Sequence, residues 1–371
     1  MEFNATLSNH TNTTDVNEDY DYPNEYAELR KSLHIMSLII YSLTFVLGVL
    51  GNGVVIWVTG FKMKKTVNTV WFLNLAVADF LFTALLPLSV TYLALNFHWP
   101  FGEFMCKLSS TMNSLNMFAS VYILVVISVD RCVSVVWPVW AQNHRNVRKA
   151  SFVCLGVWVL ALIINTPTFV FRDTAPSFVS KDIITCFTNY AQIDYWVDND
   201  TTAVEHLRKL RHKAISITHF LLGFVVPFTV ILSCYAVIIY RLRRNSTLAS
   251  QSSRAFKIIA AVIITFFLCW VPYHIMALID MANYTAAVQS PTLHHVTIAG
   301  IPITSSLAVI NSCLNPLLYV FMGQDFKDKV RKSILNVLET AFQEDSCGSQ
   351  ADTKSTETSQ SRDKSTLSTG V

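Results

Sequence analysis

Long apolar segments alternate with short polar ones along this chain, and the pattern predicts seven membrane-spanning helices. Each apolar segment reaches the roughly 20 residues that a helix needs to cross a bilayer. Ionisable side chains are few within these segments, as a hydrocarbon environment requires. The spans are placed at residues 33–60, 67–95, 104–136, 150–171, 214–240, 256–279 and 293–321. The sequence therefore predicts an all-α membrane protein, folded as a bundle of seven transmembrane helices.

The composition agrees with a membrane protein and excludes a nucleic-acid partner. Hydrophobic residues make up 52% of the 371 residues and charged residues 14%, with a mean hydropathy of +0.41. Soluble domains carry about 25% charged residues. The net charge of +3 is small, and the Lys and Arg residues are spread over several short segments. We therefore expect membrane lipids around the chain and no binding to nucleic acid.

The Lys and Arg residues lie in alternate loops, and this asymmetry predicts the orientation of the spans. The loops after the first, third and fifth spans are basic, whereas residues 96–103 and 280–292 contain neither Lys nor Arg. Basic loops remain in the cytosol. We therefore expect a multi-pass protein with its N-terminus outside and its C-terminus inside.

Glycosylation sequons agree with this orientation. Five sequons fall on the predicted outer side, where N-linked glycans are added. Their acceptors are Asn4, Asn9, Asn12, Asn199 and Asn283. Residues 1–32 are therefore expected to form an acidic, glycosylated extracellular tail.

The chain after the last span divides into two predicted segments. Residues 323–339 place Ile334, Leu335 and Leu338 at helical spacing beside a basic face, which predicts an amphipathic helix on the cytosolic membrane surface. Residues 340–371 are polar and rich in Ser and Thr, which predicts a disordered cytosolic tail. The spans and their loops, residues 33–322, form the transmembrane domain.

Two of the eight cysteines lie on the predicted outer side. Cys106 is at the outer end of span three, and Cys186 lies in the long loop after span four. Because that side is oxidising, we expect a disulfide between them; two free thiols are the alternative.

Polar motifs inside the spans give the first indication of function. Span three ends in Asp130-Arg131-Cys132, span six contains Cys269-Trp270-Val271-Pro272, and span seven contains the run from Asn311 to Tyr319, NSCLNPLLY. Together with Asn52 and Asp79, they make the sequence resemble the rhodopsin-like G-protein-coupled receptors over residues 33–338. The resemblance implies a plasma-membrane receptor that couples to heterotrimeric G proteins and is not an enzyme.

The resemblance also implies a switch at the cytosolic side. Asp130 would hold Arg131 in the resting state, and Arg131 would move to Tyr235, Tyr319 and the G protein on activation. Trp270 would act as a toggle next to the Pro272 kink. The implied switch residues are Asp130, Arg131, Tyr235, Trp270, Pro272, Asn315, Pro316 and Tyr319.

A sodium ion is the one bound ion that the resemblance implies; we expect no other cofactor and no other metal. The matching residues are Asp79, Asn116, Ser120, Asn311 and Asn315. A lone buried carboxylate is costly unless it is paired or neutral. A hydrated polar network around a protonated Asp79 is the alternative.

Two ligand classes are excluded, which leaves peptides and proteins. A retinal pigment needs a Lys in span seven, which has none, and an amine receptor needs an Asp where this chain has Asn113. The acidic N-terminal tail contains Tyr20, Tyr22 and Tyr26 among its acids, a setting that suits tyrosine sulfation and would steer a basic ligand.

Within the receptors, the chain resembles the chemoattractant group and is most similar to the chemerin (chemokine-like) receptors, with the formyl-peptide receptors next. The resemblance rests on FKMKKTV from Phe61, WFLNLAVADF from Trp71 and WAQNHR from Trp140. Formyl-peptide receptors use an Asp and two Arg where this chain has Ser114, Ile215 and His219, which favours a chemerin receptor.

Chemerin receptors recognise a free C-terminal carboxylate, so the pocket requires a cation. Arg172 is the first candidate for that cation, and His219 stands where the family commonly has Arg or Lys. The predicted ligand-binding residues are Arg172, His219, Asn113, Ser114, Asn116 and Tyr273.

The resemblance further implies inhibitory G proteins, receptor kinases and arrestin as partners, in chemotaxis and inflammation. The tail residues from Thr353 to Ser361 would supply phosphorylation sites for arrestin. A formyl-peptide receptor is one alternative. A decoy that binds chemerin with little G-protein signalling is another, since span six lacks the acid that commonly pairs with Arg131. A transporter or channel is disfavoured by the odd span number, and an intramembrane enzyme by the lack of paired acids or metal-spaced His.

Overall fold

A computed structural model describes residues 24–177, 180–191, 201–244, 246–286, 288, 290–322, 328 and 331, without the side chains of 24–27, 201, 246–257 and 319–322. Seven of its helices are long and apolar enough to cross a membrane, so the predicted seven-span α-helical architecture is confirmed. These helices belong to a compact unit that ends at Gly323. The predicted amphipathic helix lies outside the described residues apart from Asp328 and Arg331, which are helical, and both chain termini lie outside them altogether.

The spans follow one another in chain order, with one hairpin inserted after the fourth. The helices are α1 (Asn24–Trp57), α2 (Val67–Ala94), α3 (Gly102–Val136), α4 (Pro138–His144), α5 (Val147–Phe171), α6 (Thr201–Phe220), α7 (Val226–Arg244), α8 (Ser246–Thr285) and α9 (Pro291–Met322), and the strands are β1 (Arg172–Pro176) and β2 (Ile184–Thr188). A π-helical turn at Val58–Lys62 continues α1, and another at Leu221–Val225 joins α6 to α7. Spans one to four are therefore α1, α2, α3 and α5, span five is α6 with α7, and spans six and seven are α8 and α9.

Local side-chain contacts fix where two of the spans begin. Thr66 and Thr69 form a capping box at the start of α2, in which the Thr69 backbone N–H donates to Thr66 Oγ1 (3.2 Å) and the Thr66 N–H donates to Thr69 Oγ1 (2.8 Å). Asn146 caps α5 by accepting from the Lys149 N–H (2.9 Å). Such caps satisfy backbone N–H groups that have no partner inside the helix.

Span five extends further outward than hydropathy predicts. Residues 201–213 were expected to belong to a long outer loop, but they form the first turns of α6. Glu205 lies 3.4 Å from Arg208 and 3.8 Å from Lys209, and such pairs one turn apart stabilise a helix in water. The expected loop at 280–292 is likewise shorter, because α8 continues to Thr285 and α9 begins at Pro291.

The outer hairpin is fixed to span three. β1 and β2 pair antiparallel, with Thr174 opposite Cys186, and Cys186 forms the predicted disulfide with Cys106 in α3. The hairpin also bonds to the turn after α2, where the Trp99 N–H donates to the Ile184 carbonyl (2.7 Å). Residue 172, at the start of β1, is therefore held over the outer end of the bundle.

The outer surface of the bundle is apolar, and several polar side chains are buried between the helices beside the apolar core. Leu50 and Leu268 are exposed on the outer surface, whereas Asn52, Asp79 and Ser312 are completely buried between helices. This distribution suits a protein surrounded by hydrocarbon, where a polar group must find its partner within the bundle.

Candidate functional site

Two neighbouring cavities open between the spans, at the end of the bundle that carries the hairpin. The larger, of about 100 Å³, lies among spans three to six and the hairpin. The smaller, of about 50 Å³, lies among spans one to three. Both are lined by Ser110, Asn113 and Arg172. These three residues therefore form the boundary between two compartments.

Five of the six predicted ligand-binding residues line the larger cavity. They are Arg172, His219, Asn113, Ser114 and Tyr273. The prediction is wrong for the sixth residue, Asn116, which does not line this cavity. It lies one helical turn below Asn113, is 3% exposed and bonds to Ser312 in the polar core, so it does not reach the cavity wall.

Arg172 is a buried cation placed by the hairpin. It is the first residue of β1, pairs with Thr188 of β2 and is 5% exposed. Placing a guanidinium in a buried site is costly unless anions or hydrogen-bond acceptors surround it. Its position between two cavities suits a carboxylate that enters from outside.

Two histidines face the larger cavity from neighbouring spans. His219 lies edge-on to Phe118, with ring centroids 5.3 Å apart. His274 is 4% exposed, and its Nε2 has no hydrogen-bond partner among the described residues. Gly223, in the π turn, leaves room for Met117 next to this cavity: a Cβ there would lie 3.1 Å from Met117 Cε, a tight contact, and 3.4 Å from His274 Cε1, an ordinary one.

The sequence analysis did not single out His274. It follows the predicted residue Tyr273 directly and lies one turn beyond Trp270, which also lines the cavity. Helical spacing from Trp270 was the available indication, because residues four apart share a face.

Below the cavities, polar residues from four spans meet in a buried core. Asn315 Nδ2 donates to Asp79 Oδ2 (2.8 Å), and Ser120 Oγ donates to Asn116 Oδ1 (3.4 Å). If the Asn116 amide is turned over, its nitrogen donates to Asp79 Oδ1 (3.2 Å) and its oxygen accepts from Ser312 Oγ (2.9 Å). Four of the five residues predicted for sodium thus belong to this core, to which the structure adds Ser312. The fifth, Asn311, is buried one turn before Asn315 in span seven.

Three amide oxygens in this core have no hydrogen-bond partner among the described residues. They belong to Asn52, Asn311 and Asn315. Such oxygens together with a carboxylate are the ligand type that a hard cation prefers. The residues present therefore fit a small cation such as sodium.

At the opposite end of span three, two arginines bind the carboxylate of Asp130. Arg131 lies 3.3 Å from Asp130. Arg145 approaches more closely and makes two hydrogen bonds, from Nε to Oδ1 (2.8 Å) and from the guanidinium to Oδ2 (2.9 Å). Arg131 and Arg145 also both donate to Asn68 Oδ1. Neither Asn68 nor Arg145 was predicted to contact Asp130 or Arg131; Arg145 entered the prediction as a loop charge and as the last residue of the WAQNHR motif.

A known protein family matches most of this chain. The family described as 7 transmembrane receptor (rhodopsin family) matches residues 51–319, which is most of the chain. The chain belongs to this family. It is a rhodopsin-family receptor rather than an enzyme, and the resemblance stated from its motifs is confirmed.

Among its relatives in this family are chemerin-like receptors. The receptor is 47% identical to chemerin-like receptor 1 of Rattus norvegicus over 85% of this chain and 82% of the relative. It is 44% identical to the Homo sapiens protein of the same name, over 89% and 90%. It is also 43% identical to N-formyl peptide receptor 3 of Homo sapiens, over 84% and 86%. The receptor therefore belongs with the chemerin-like group, with formyl-peptide receptors next to it.

The three positions at which the resemblance separates the two groups line the larger cavity. Ser114, Ile215 and His219 all line it, where the family resemblance gives formyl-peptide receptors an Asp and two Arg. The cavity wall of this receptor is thus neutral or weakly basic at those positions, and Arg172 supplies its charge.

Several predicted sites lie outside the described residues. Asn4, Asn9, Asn12, Asn199 and the phosphorylation sites of the C-terminal tail are among them, as is the Tyr319 side chain. Asn283 is described, and it is 6% exposed and accepts a hydrogen bond from the Ser290 N–H (2.8 Å). This packing argues against Asn283 as a glycan acceptor in the folded receptor.

Replacing Arg145 by Ala is expected to lower the thermal unfolding midpoint of the purified receptor. Asp130 would lose two charge-assisted hydrogen bonds in a partly buried site. Arg148→Ala is the matched control, because Arg148 is an exposed arginine three residues further along. A double-mutant cycle with Asp130→Asn should give a coupling energy of about 1–3 kcal/mol. Equal midpoints for the two Ala variants would show that the pair contributes nothing.

Proposed function

We propose that this protein is a cell-surface receptor for a chemoattractant peptide or protein, with chemerin as the ligand. It would signal through inhibitory G proteins and arrestin in chemotaxis and inflammation, with its N-terminus outside the plasma membrane. The supporting observation is Arg172, a buried cation at the boundary of two outer cavities, in a chain 44–47% identical to chemerin-like receptors.

The two compartments suit the end of a peptide chain. If the C-terminal carboxylate of a peptide bound Arg172, the side chains of the last peptide residue and of the residues before it would be free to enter either cavity. The larger cavity offers aromatic walls from Phe220, Trp270 and Tyr273, with the two histidines as polar contacts. Asn113, which lines both cavities, is placed to hydrogen-bond the peptide backbone.

Trp270 offers a route from the ligand to the switch. It lines the cavity, is 3% exposed and packs against Phe266, with ring centroids 5.9 Å apart. It also lies two residues before Pro272, where span six lacks one backbone hydrogen bond. A ligand that displaces Trp270 would therefore act on the most deformable part of span six.

The polar core would bind sodium in the resting receptor. Asp79 supplies the charge, and Asn116, Ser120, Asn311 and Asn315 supply oxygens nearby. The ion would neutralise the buried carboxylate and favour the state in which it is bound.

The ion pairs and hydrogen bonds around Asp130 support a decoy receptor as a second candidate. Arg145 and Arg131 both hold the carboxylate, and Asn68 holds both arginines. Arg131 would have to break its contacts with Asp130 and Asn68 before it could bind a G protein. A receptor held in that state would bind chemerin and recruit arrestin with little G-protein turnover.

A chemerin C-terminal peptide is expected to inhibit forskolin-stimulated cAMP accumulation in cells expressing the receptor, and pertussis toxin should abolish the effect. Arrestin recruitment is recorded in parallel, with a formyl peptide as the control ligand. Arrestin recruitment without a change in cAMP would favour the decoy. A response to the formyl peptide alone would contradict chemerin as the ligand.

Arg172→Gln is expected to reduce the potency of the chemerin peptide by about 10- to 100-fold, the range for a lost hydrogen bond to a charged group. Amidating the peptide C-terminus should cause a similar loss in the wild type and little further loss in Arg172→Gln, because both changes remove the same ion pair. Lys181→Gln, an exposed cation on the hairpin, is the control. Additive losses would place the carboxylate elsewhere.

Sodium is expected to weaken agonist binding by about tenfold, within the usual range of allosteric coupling. Radioligand displacement would be measured in sodium chloride and in N-methylglucamine chloride at equal ionic strength. Asp79→Asn should remove the difference between the two salts. A sodium effect that persists in Asp79→Asn would locate the ion outside the polar core.

A further inference from the structure

A groove of about 440 Å³ lies between spans five and six, away from the ligand cavities. It opens to the outer surface of the bundle, since Leu232, Ile264 and Leu268 on its walls are 58–67% exposed. The other walls come from Phe228, Ile231, Tyr235, Ala260, Ile263, Phe267, Val271 and Pro272. The groove therefore faces the acyl chains of the bilayer.

The chemistry of the groove suits a hydrocarbon chain. Its walls are apolar except for the hydroxyl of Tyr235, which is buried and has no hydrogen-bond partner among the described residues. An apolar groove that is open to lipid gains contact area when a flexible hydrocarbon chain fills it.

Positive charge lies along the same helix face. Arg243 follows Leu232 by eleven residues, which is about three helical turns, so the two share a face, and Ile239 lies exposed between them. The distance along the axis is about 16 Å, close to half of the roughly 30 Å hydrocarbon core. A lipid with its headgroup at Arg243 would thus reach the groove with one acyl chain.

We propose that the groove binds one acyl chain of an anionic phospholipid whose phosphate is held by Arg243, with Arg241 and Arg244 in the same last turn of α7. Charge complementarity selects an anionic headgroup over a neutral one. The bound chain contacts Tyr235 and Pro272, two of the implied switch residues, so it stabilises the observed separation of spans five and six. This inference does not depend on the identity of the extracellular ligand.

The test uses the full-length receptor in phosphatidylcholine vesicles that contain phosphatidylserine with a photoreactive diazirine in its acyl chain. After irradiation, labelled peptides are mapped by mass spectrometry. Labelling is expected to concentrate on groove residues such as Leu232, Ile264 and Leu268, and excess unlabelled phosphatidylserine should compete with it. Photoreactive phosphatidylcholine should label the groove about fivefold less, given the contribution of one Arg near the membrane surface.

Two variants address the two halves of the site. Arg243→Ala should lower groove labelling by phosphatidylserine about fivefold, and Ala260→Trp should remove most of it by filling the groove. The matched controls are Lys64→Ala, an exposed cation after span one, and Ala84→Trp, an exposed alanine on span two. Arg243 is exposed, so Arg243→Ala is expected to fold. The test of the headgroup therefore does not depend on whether Ala260→Trp folds.

Three outcomes would overturn the proposal. Equal groove labelling by the two photoreactive lipids would mean that the headgroup is not recognised. Equal losses in Arg243→Ala and Lys64→Ala would mean that membrane charge in general is responsible. Competition by cholesterol but not by phosphatidylserine would identify a sterol as the occupant.

Discussion

Polar side chains inside the spans have to find partners within the bundle, because hydrocarbon offers no hydrogen bonds. Asn52 satisfies this constraint across two spans, since its Nδ2 donates to the carbonyls of Gly48 (3.0 Å) and Ser312 (2.8 Å). Asn315 does the same for Asp79. These contacts join spans one, two and seven at the level where Pro316 interrupts the last of them. Gly51 allows the approach, since a Cβ there would lie 3.1 Å from the Pro316 ring.

The features that follow from partitioning into lipid could be predicted from the sequence. Hydropathy located all seven spans, and the rarity of ionisable residues in them singled out Asp79. The family resemblance supplied Asn315, which proved to be bonded to Asp79. Cys106 and Cys186 could be paired because the orientation placed both on one side of the membrane. These predictions depend on the composition of a segment or on the side of the membrane where a residue lies, and not on the exact geometry of a contact.

The features that depend on water or on distant contacts could not be predicted. Hydropathy reports transfer into lipid and is silent on a helix that continues into water, so the start of α6 at Thr201 was missed. Arg145 and Asn68 are 77 residues apart and meet only through the fold. Asn116 was assigned to the wrong level because residues three apart on one face differ by about 4.5 Å in depth. That distance separates a cavity wall from the polar core.

The π turn in span five has a consequence for how the two halves of that helix are related. A π turn accommodates one more residue than an α-helical turn, so the residues after Val225 are offset in angular phase, by roughly 100°, from where an uninterrupted α-helix would place them. The face that carries His219 into the outer cavity and the face that carries Tyr235 towards span six therefore belong to two different helical wheels. A residue pattern read at a constant step of about 100° across span five would therefore assign the residues after Val225 to the wrong side of the helix.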